Sequence, residues 1–282
     1  MKQIVELHEL EHEDKPRSVV TVPGIVTFLG EFADYCKGFT LCGAASSALT
    51  IAISPRSDQS VRLFLAPMKD RKRFNLQNVK YRREDRWANI IKGVVSVLQG
   101  RGFPSGGFNI TFSGNLLSRD GTMVNSAIAL GATIALRELY HDTLNLDDCP
   151  AIAYSALSSF TGEECRLIIF LAMMHVRKNS LLLYDVHHLT FERIPQLVEN
   201  EMLLPLIVES RISPHAIREE FAIRRRESRK AFEHLRTEFP NGLVRDVSEQ
   251  ELKESVGELS EEEKRICLYV LAESRLAREG AR

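Results

Sequence analysis

The sequence has no clustered cysteines. Its five, Cys36, Cys42, Cys149, Cys165 and Cys267, are scattered over 282 residues without a C-x-x-C pair. An odd, dispersed set is poor material for a disulfide framework, so a reducing compartment, the cytoplasm, is the expected location. Long apolar runs are missing as well. The longest, residues 167–174, falls far short of the roughly 20 residues a helix needs to cross a bilayer. Residues 1–12 set Lys2, Glu6, Glu9 and Glu11 among apolar neighbours, which is not the basic-then-apolar order of a secretory leader, and no export signal is expected. Neither charge sign is in excess, with 37 Lys and Arg against 38 Asp and Glu. Nucleic acid and anionic membranes normally meet a clustered basic surplus, so neither is expected as the main partner. There is no internal repeat and no long Pro, Gly or Ser linker, and domain limits must come from changes in pattern.

What is present is ordinary for a folded protein: 44% apolar and 27% charged residues, in a chain long enough to bury a large core without staples. Short stretches rich in β-branched and aromatic residues at 19–22, 25–29, 48–53, 61–65 and 108–112 read as strands, punctuated by Pro23-Gly24, Pro55 and Gly106-Gly107. Residues 86–99, 124–139 and about 150–159 read as helices, the first two with apolar side chains at helical spacing. A further helix at 167–174 precedes strand-like segments at 181–184, 189–194 and 203–208. Helices at 213–238 and 259–278 close the chain, the former opening on a Ser-Pro pair. The pattern predicts an α/β (α+β) protein with an N-terminal domain over 1–162 and a C-terminal domain over 163–282.

From Pro23 the chain reads P-G-I-V-T-F-L-G-E-F-A-D-Y and, two residues on, G-F-T-L-C-G-A-A. This resembles the galactokinase signature P-G-R-x-N-L-I-G-E-H-x-D-Y-x-x-G-F-x-L-P, with Pro23, Gly24, Leu29, Gly30, Glu31, Asp34, Tyr35, Gly38, Phe39 and Leu41 at unbroken spacing. W-A-N-I-I-K-G-V from Trp87, G-G-F-N-I-T-F-S-G from Gly106, N-S-L-L-L-Y-D from Asn179, F-A-I-R-R-R-E from Phe221 and V-R-D-V from Val244 extend the likeness. By these motifs the chain resembles galactokinases of the GHMP small-molecule kinase family. The resemblance implies a GHMP-kinase fold, with an N-terminal mixed-sheet domain and a ferredoxin-like C-terminal domain, binding sugar and ATP. The last helix resembles the family's R-x-R-H-V-V-x-E-N-x-R, and the glycine-rich G-x-G-F-G-G that follows in the family has no counterpart before Arg282. The C-terminal domain is therefore expected to be incomplete, with an open edge met by a second copy or a protein partner.

Moving the γ-phosphoryl group of ATP to a sugar hydroxyl needs phosphate positioning, charge neutralisation and commonly a base. The family's phosphate loop, similar to G-x-G-L-S-S-S-A, offers backbone amides at a helix N-terminus and hydroxyls near the metal. Here the matching stretch is Arg119-Asp120-Gly121-Thr122-Met123-Val124-Asn125-Ser126-Ala127. Met123, Val124 and Asn125 fall on the three serines, and a one-residue shift recovers only Ser126. Asp120 adds negative charge where a polyanion would sit. The family's base lies in C-G-I-M-D-Q, which meets Cys165-Arg166-Leu167-Ile168-Ile169-Phe170 without a gap, so Ile169 stands at the aspartate. Ile25 stands at the arginine that partners it. An alkyl group takes no proton. Losing both members of an ion pair is physically coherent, because a lone buried charge is costly while two apolar replacements are often neutral.

Part of the sugar-reading end survives. Glu31 and Asp34 match the carboxylates that hydrogen-bond galactose hydroxyls, and Gly38 matches the signature glycine beside them. Phe32 replaces the signature histidine and Phe221 replaces a tyrosine near the pocket, so hydroxyl recognition is expected to weaken. Glu31 and Asp34 have an alternative role as turn and cap residues. Trp87 resembles a tryptophan beside the nucleotide pocket, and with Gly121, Asn125 and Ser126 it forms a degenerate nucleotide site, although an aromatic at helical spacing is often core. Arg224-Arg225-Arg226, interleaved with glutamates, read as a salt-bridged helix face. His187-His188 lack further ligands at metal spacing, and no metal is expected. The expected protein is a galactokinase-like pseudokinase with a regulatory, sugar-sensing or scaffold role and no cofactor. The alternative is an active ATP-dependent sugar kinase using ATP and Mg²⁺.

Overall fold

The computed structural model describes residues 2–102, 106–118, 122–140, 144–195, 208, 212, 214–239, 243–254 and 259–282. The chain forms two compact units, each discontinuous in sequence: 1–25 with 45–175, and 26–44 with 176–282. The sequence pattern divided the chain once, at 162/163. The compact units instead give residues 163–175 to the first and residues 26–44 to the second.

Unit 1 opens with α1 (Lys2–His12), then β1 (Ser18–Leu29) and β2 (Phe39–Pro55), whose ends lie in unit 2. β3 (Ser60–Leu65), β4 (Asp70–Asn75), α2 (Ala88–Gln99), β5 (Phe108–Ser113), α3 (Thr122–Tyr140), α4 (Cys149–Ser155) and α5 (Leu167–His175) follow. Its sheet runs β4-β3-β5-β2, with β3 and β5 parallel and the other pairs antiparallel. Alternation along β5 explains both faces. Phe108, Ile110 and Phe112 share the face that carries Ile51 and Ile53 of β2, and α3 presses on it so closely that a Cβ at Gly131 would lie 2.3 Å from Ile51 Cδ1. Asn109 and Thr111 point to the other face, where α1 docks through polar contacts.

Those contacts form a buried polar latch. His8, fully buried, places Nδ1 3.0 Å from Thr111 Oγ1 and Nε2 3.0 Å from Ser54 Oγ. His12 Nε2 lies 3.2 Å from the same Thr111 hydroxyl, and its ring centroid is 4.7 Å from that of His8. Burial lowers both imidazoles to about 4, since a cation there would lose its hydration.

Unit 2 pairs the first part of β2 with β6 (Ser180–Asp185), and β6 with β7 (Thr190–Pro195), all antiparallel, with Leu41 opposite Leu183. α6 (Pro214–Glu238), α7 (Glu249–Glu254) and α8 (Glu261–Gly280) complete it. Phe232, Leu235, Val244, Leu252, Cys267 and Val270 form a core with Cys36 from the segment between β1 and β2. α8 starts on a capping box in which Ser260 Oγ accepts from Glu263 N and the Glu263 carboxylate accepts from Ser260 N at 2.9 Å.

Several expectations need correction. Pro23-Gly24 does not interrupt the first strand, which runs unbroken from Ser18 to Leu29, because neither residue disrupts extended backbone when its side and donor demands are met. The strand placed at 48–53 is part of a 17-residue strand. The helix near 150–159 stops at Ser155 and continues as a π-helical turn, Ala156–Thr161. The sequence pattern did not bring out α1, β4 or α7, whose composition is largely polar. The strand expected at 203–208 lies outside the described residues, apart from Val208, which is not in a strand. No helix among the described residues is long and apolar enough to cross a membrane.

Candidate functional site

Within unit 2 the segment joining β1 to β2 is tightly built. Gly30 sits at φ 80°, and a Cβ there would lie 2.1 Å from the Phe39 carbonyl oxygen, so only glycine fits. Phe32 (φ 63°) and Lys37 (φ 54°) also take the left-handed conformation, flanking a single 3-10 turn, Ala33–Cys36. Asp34 falls in the first turn of that helix, and Phe32 rather than a carboxylate occupies its N-cap without a side-chain bond. Gly38 lies against α8, where a Cβ would come within 2.2 Å of Ser274 Oγ. That hydroxyl accepts from the Phe39 amide at 3.0 Å, and the Glu273 carboxylate accepts from the Gly30 amide at 2.9 Å. Two neighbouring α8 residues thus hold both ends of the segment that carries Glu31, Asp34 and Gly38.

Glu31 and Asp34 are both half-buried. The Tyr269 phenol is pushed up by burial and by the nearby carboxylates of Glu273 and Glu31, which places Glu31 beside α8. Further along, burial pushes the Asp185 carboxyl up, but hydrogen bonds from Arg245 and His188 outweigh it and hold the group down to about 2. Arg245 Nη1 donates to Asp185 Oδ1 at 2.6 Å while its guanidinium lies 4.5 Å from the centroid of the Phe39 ring. His187 and His188 each donate a backbone amide to the same carboxylate, so this histidine pair closes a turn. Among the described residues no group of three or more His, Cys, Asp or Glu side chains is arranged to hold a metal ion. Burial pushes the Cys36, Cys42 and Cys267 thiols up to about 12, which removes them as nucleophiles at neutral pH.

Within unit 1, Ile25 is buried in β1 at 7% exposure and Ile169 is half-buried in the first turn of α5, beside buried Ile168 and Phe170. Trp87 has its indole N–H donating to Asp70 Oδ2 at 2.8 Å and its ring edge-to-face with Phe112 at 5.7 Å, so it is held on both its polar and apolar sides. At the start of α3, Asn125 Nδ2 donates to Glu163 Oε2 at 2.8 Å. Ser126 is fully buried and its hydroxyl has no hydrogen-bond partner among the described residues. Gly121, with Arg119 and Asp120, lies outside the described residues, as does the side chain of Phe221. The predicted sugar residues therefore gather in unit 2 and the remaining predicted positions in unit 1. Sequence reasoning passed over Glu273 and Ser274. The signal was the final helix motif, whose glutamate falls on Glu273.

The described architecture places the chain among known folds. It superimposes on Lactococcus lactis galactokinase complexed with galactose with a TM-score of 0.81, at 18% identity, covering 99% of this chain and 72% of that one. Methanococcus jannaschii mevalonate kinase aligns with a TM-score of 0.56, at 15% identity, over 94% of this chain and 80% of the other. The fold is that of the GHMP small-molecule kinases. A family signature described as the galactokinase galactose-binding signature matches residues 6–55. In sequence, the galactokinase of Roseiflexus sp. is 28% identical over 269 residues, 94% of this chain and 67% of that protein. Signature and sequence alike make the chain similar to galactokinases. It spans about half to two thirds of the length of the curated relatives it matches.

Proposed function

We propose that this protein is a galactokinase-like pseudokinase that reads a sugar through Glu31, Asp34 and Gly38 and does not transfer phosphate, serving a sugar-sensing, regulatory or scaffold role. One observation carries the reading. The two positions that hold the acid–base pair in the resemblance are Ile169, half-buried in an apolar helix, and Ile25, buried in β1. Neither side chain can take a proton or orient a hydroxyl. The first turn of α3 supports the same reading, since Met123 and Val124 offer no hydroxyl and the Asn125 amide is taken up by the Glu163 carboxylate. The Glu163 carboxylate beside that turn opposes a phosphate arriving there.

The sugar end rests on different support. The matched galactose-binding signature spans Glu31, Asp34 and Gly38, and Glu273 and Ser274 hold the backbone of that segment in place. A fixed frame lowers the ordering cost of binding a small polyol.

The test is direct. Purified protein is incubated with galactose and MgATP in an ADP-coupled assay, and galactose is titrated separately by calorimetry. The expected outcome is galactose binding that Asp34→Asn weakens, with no sugar-dependent ADP. Sugar-dependent ADP release that disappears in Asp34→Asn overturns the pseudokinase reading in favour of an active ATP-dependent sugar kinase.

A further inference from the structure

The sheet of unit 1 ends at β4, which pairs with β3 on one side and with no other strand among the described residues. Apart from a local turn bond from the Asn78 amide to the Asn75 carbonyl, no described backbone outside the sheet bonds to it. Such an edge presents amides and carbonyls that can receive another strand.

Charge sets this edge apart. The hairpin from Ser60 to Asn75 carries five Lys and Arg, namely Arg62, Lys69, Arg71, Lys72 and Arg73, against one acid, Asp70, in a chain whose net charge is -1. In the register of the hairpin Arg62 lies directly opposite Arg73, and Phe64 opposite Arg71, so the three arginines share one face. Arg71 is already engaged: its guanidinium donates to both oxygens of Glu11 at 2.6 Å and lies 4.8 Å from the centroid of the Phe64 ring. Asp70 accepts the Trp87 indole N–H. Arg62 and Arg73 are exposed and form no ion pair with a described residue. Like charges directly opposite each other work against strand pairing, so this pair weakens the hairpin until an opposite charge joins it.

The patch is separate from the sugar and nucleotide positions. Arg62 pairs with Asn109 and Phe64 with Thr111, which puts the arginines on the α1 face of the sheet, whereas Trp87 packs on Phe112 of the other face. Residues 62–73 also lie outside the galactose-binding signature at 6–55. α1 docks over β5, two strands in from the edge, and leaves the outer side of β4 open among the described residues.

We propose that the outer edge of β4 takes up an extended acidic segment of a partner protein as an added strand, with carboxylates at alternate positions. Alternate side chains of a strand share a face, about 6.8 Å apart, which is the spacing of Arg71 and Arg73 along β4. A carboxylate opposite Arg73 continues the row from Arg62 and offsets its repulsion, while the added backbone completes the ladder. The arginines that keep an uncharged strand off this edge thus select one of opposite sign. Neither galactose binding nor phosphate transfer is involved.

Calorimetry on the full chain tests this with a capped seven-residue peptide alternating glutamate and threonine. Three controls accompany it: the same peptide with glutamine for glutamate, the same peptide N-methylated at every backbone amide, which keeps the charge and loses the donors, and oligouridylate. The parent peptide is expected to bind one per chain, with each control at least about tenfold weaker. The Arg62→Gln/Arg73→Gln protein should bind the parent peptide about tenfold more weakly and melt no lower than the unaltered protein, because a repulsion has been removed. If it melts lower, Arg73→Gln alone takes its place and should cost about threefold. No saturable binding of the parent peptide, equal affinity for the glutamine or N-methylated peptide, or full affinity in the arginine variants overturns the proposal. So does oligouridylate that binds more tightly than the peptide and displaces it, which would assign the patch to nucleic acid.

Discussion

The Glu273 carboxylate accepts the Gly30 amide at 2.9 Å, and the next residue along α8, Ser274, accepts the Phe39 amide. A helix late in the chain thus fixes the geometry of a segment more than two hundred residues earlier.

Removing the second of these bonds should be felt in both stability and recognition. Ser274→Ala leaves the Phe39 amide in a confined place without its acceptor, at about 1–3 kcal/mol. For a protein of this size each kcal/mol moves the melting temperature by roughly 2–4 °C. A fall of that order is expected by calorimetric melting, together with weaker galactose binding. Ser274→Thr, which keeps the acceptor, should retain more of both if its extra methyl is accommodated beside Gly38, and a Ser274→Ala protein as stable as the parent would contradict the clamp.

Ile25 and Ile169 make a paired prediction. Ile25→Arg places a charge at a 7% exposed strand position with no designed partner and should destabilise by about 3 kcal/mol or more. Ile169→Asp should cost less, because that side chain is only half-buried. In the double variant the penalties should be less than additive if the two side chains can reach each other, a coupling that a double-mutant cycle measures. On the proposed reading neither single change yields sugar-dependent ADP, since Met123 and Val124 still offer no hydroxyl at the start of α3.

The α1 latch should respond to acid. His8 and His12 titrate near 6.5 when unfolded and are held at about 4 in the fold, chiefly by burial; Asp14 favours both cations, His12 opposes that of His8, and at His12 Glu11 favours the cation while Arg62 and Arg56 oppose it. Between those values the unfolded chain binds more protons than the folded one. The latch therefore contributes fully above about pH 6.5 and loses its contribution progressively as the pH falls towards about 4. Urea midpoints should drop between pH 7 and pH 5, and amide exchange in residues 2–12 should rise first. His8→Gln should flatten part of that dependence, and an unchanged slope would show that the imidazole is not responsible.

Asp185 works in a lower window. Its carboxyl is held at about 2 in the fold against an ordinary value near 3.8, so its contribution is complete above about pH 4 and fades as the pH drops towards 2. Asp185→Asn keeps the shape of the turn but removes the charge opposite Arg245, whose side chain is only 7% exposed. A loss of about 1–3 kcal/mol is expected at pH 7, shrinking near pH 2 where the parent carboxyl is itself protonated. Equal losses at the two values would exclude the ion pair as the cause.

The sequence made the fold class legible because the signature from Pro23 to Leu41 fixes spacing as well as composition. Helices with an apolar stripe, such as 86–99, were visible for the same reason as any amphipathic helix. α1 was hidden because its buried face ends in His8 and His12, and histidines do not register as an apolar face. β4 was hidden because Asp70, Arg71, Lys72 and Arg73 are edge-strand residues whose charge blunts an exposed edge and disguises a strand. At the candidate site, residue identities could be read along the chain, whereas the clamp by Glu273 and Ser274 arises from contacts between distant segments. Such contacts leave no local periodicity to find.

The discontinuity of the two units bears on how the protein is made. Residues 26–44 leave the ribosome early, but the rest of their unit begins roughly 130 residues later, which at about 5–20 residues per second is a wait of many seconds. During that interval the Gly30 and Phe39 amides have no α8 to bond, and a stretch rich in apolar side chains has no core to enter. The nascent chain therefore carries an unfinished sugar-signature segment through most of its synthesis, a natural point for a chaperone to engage.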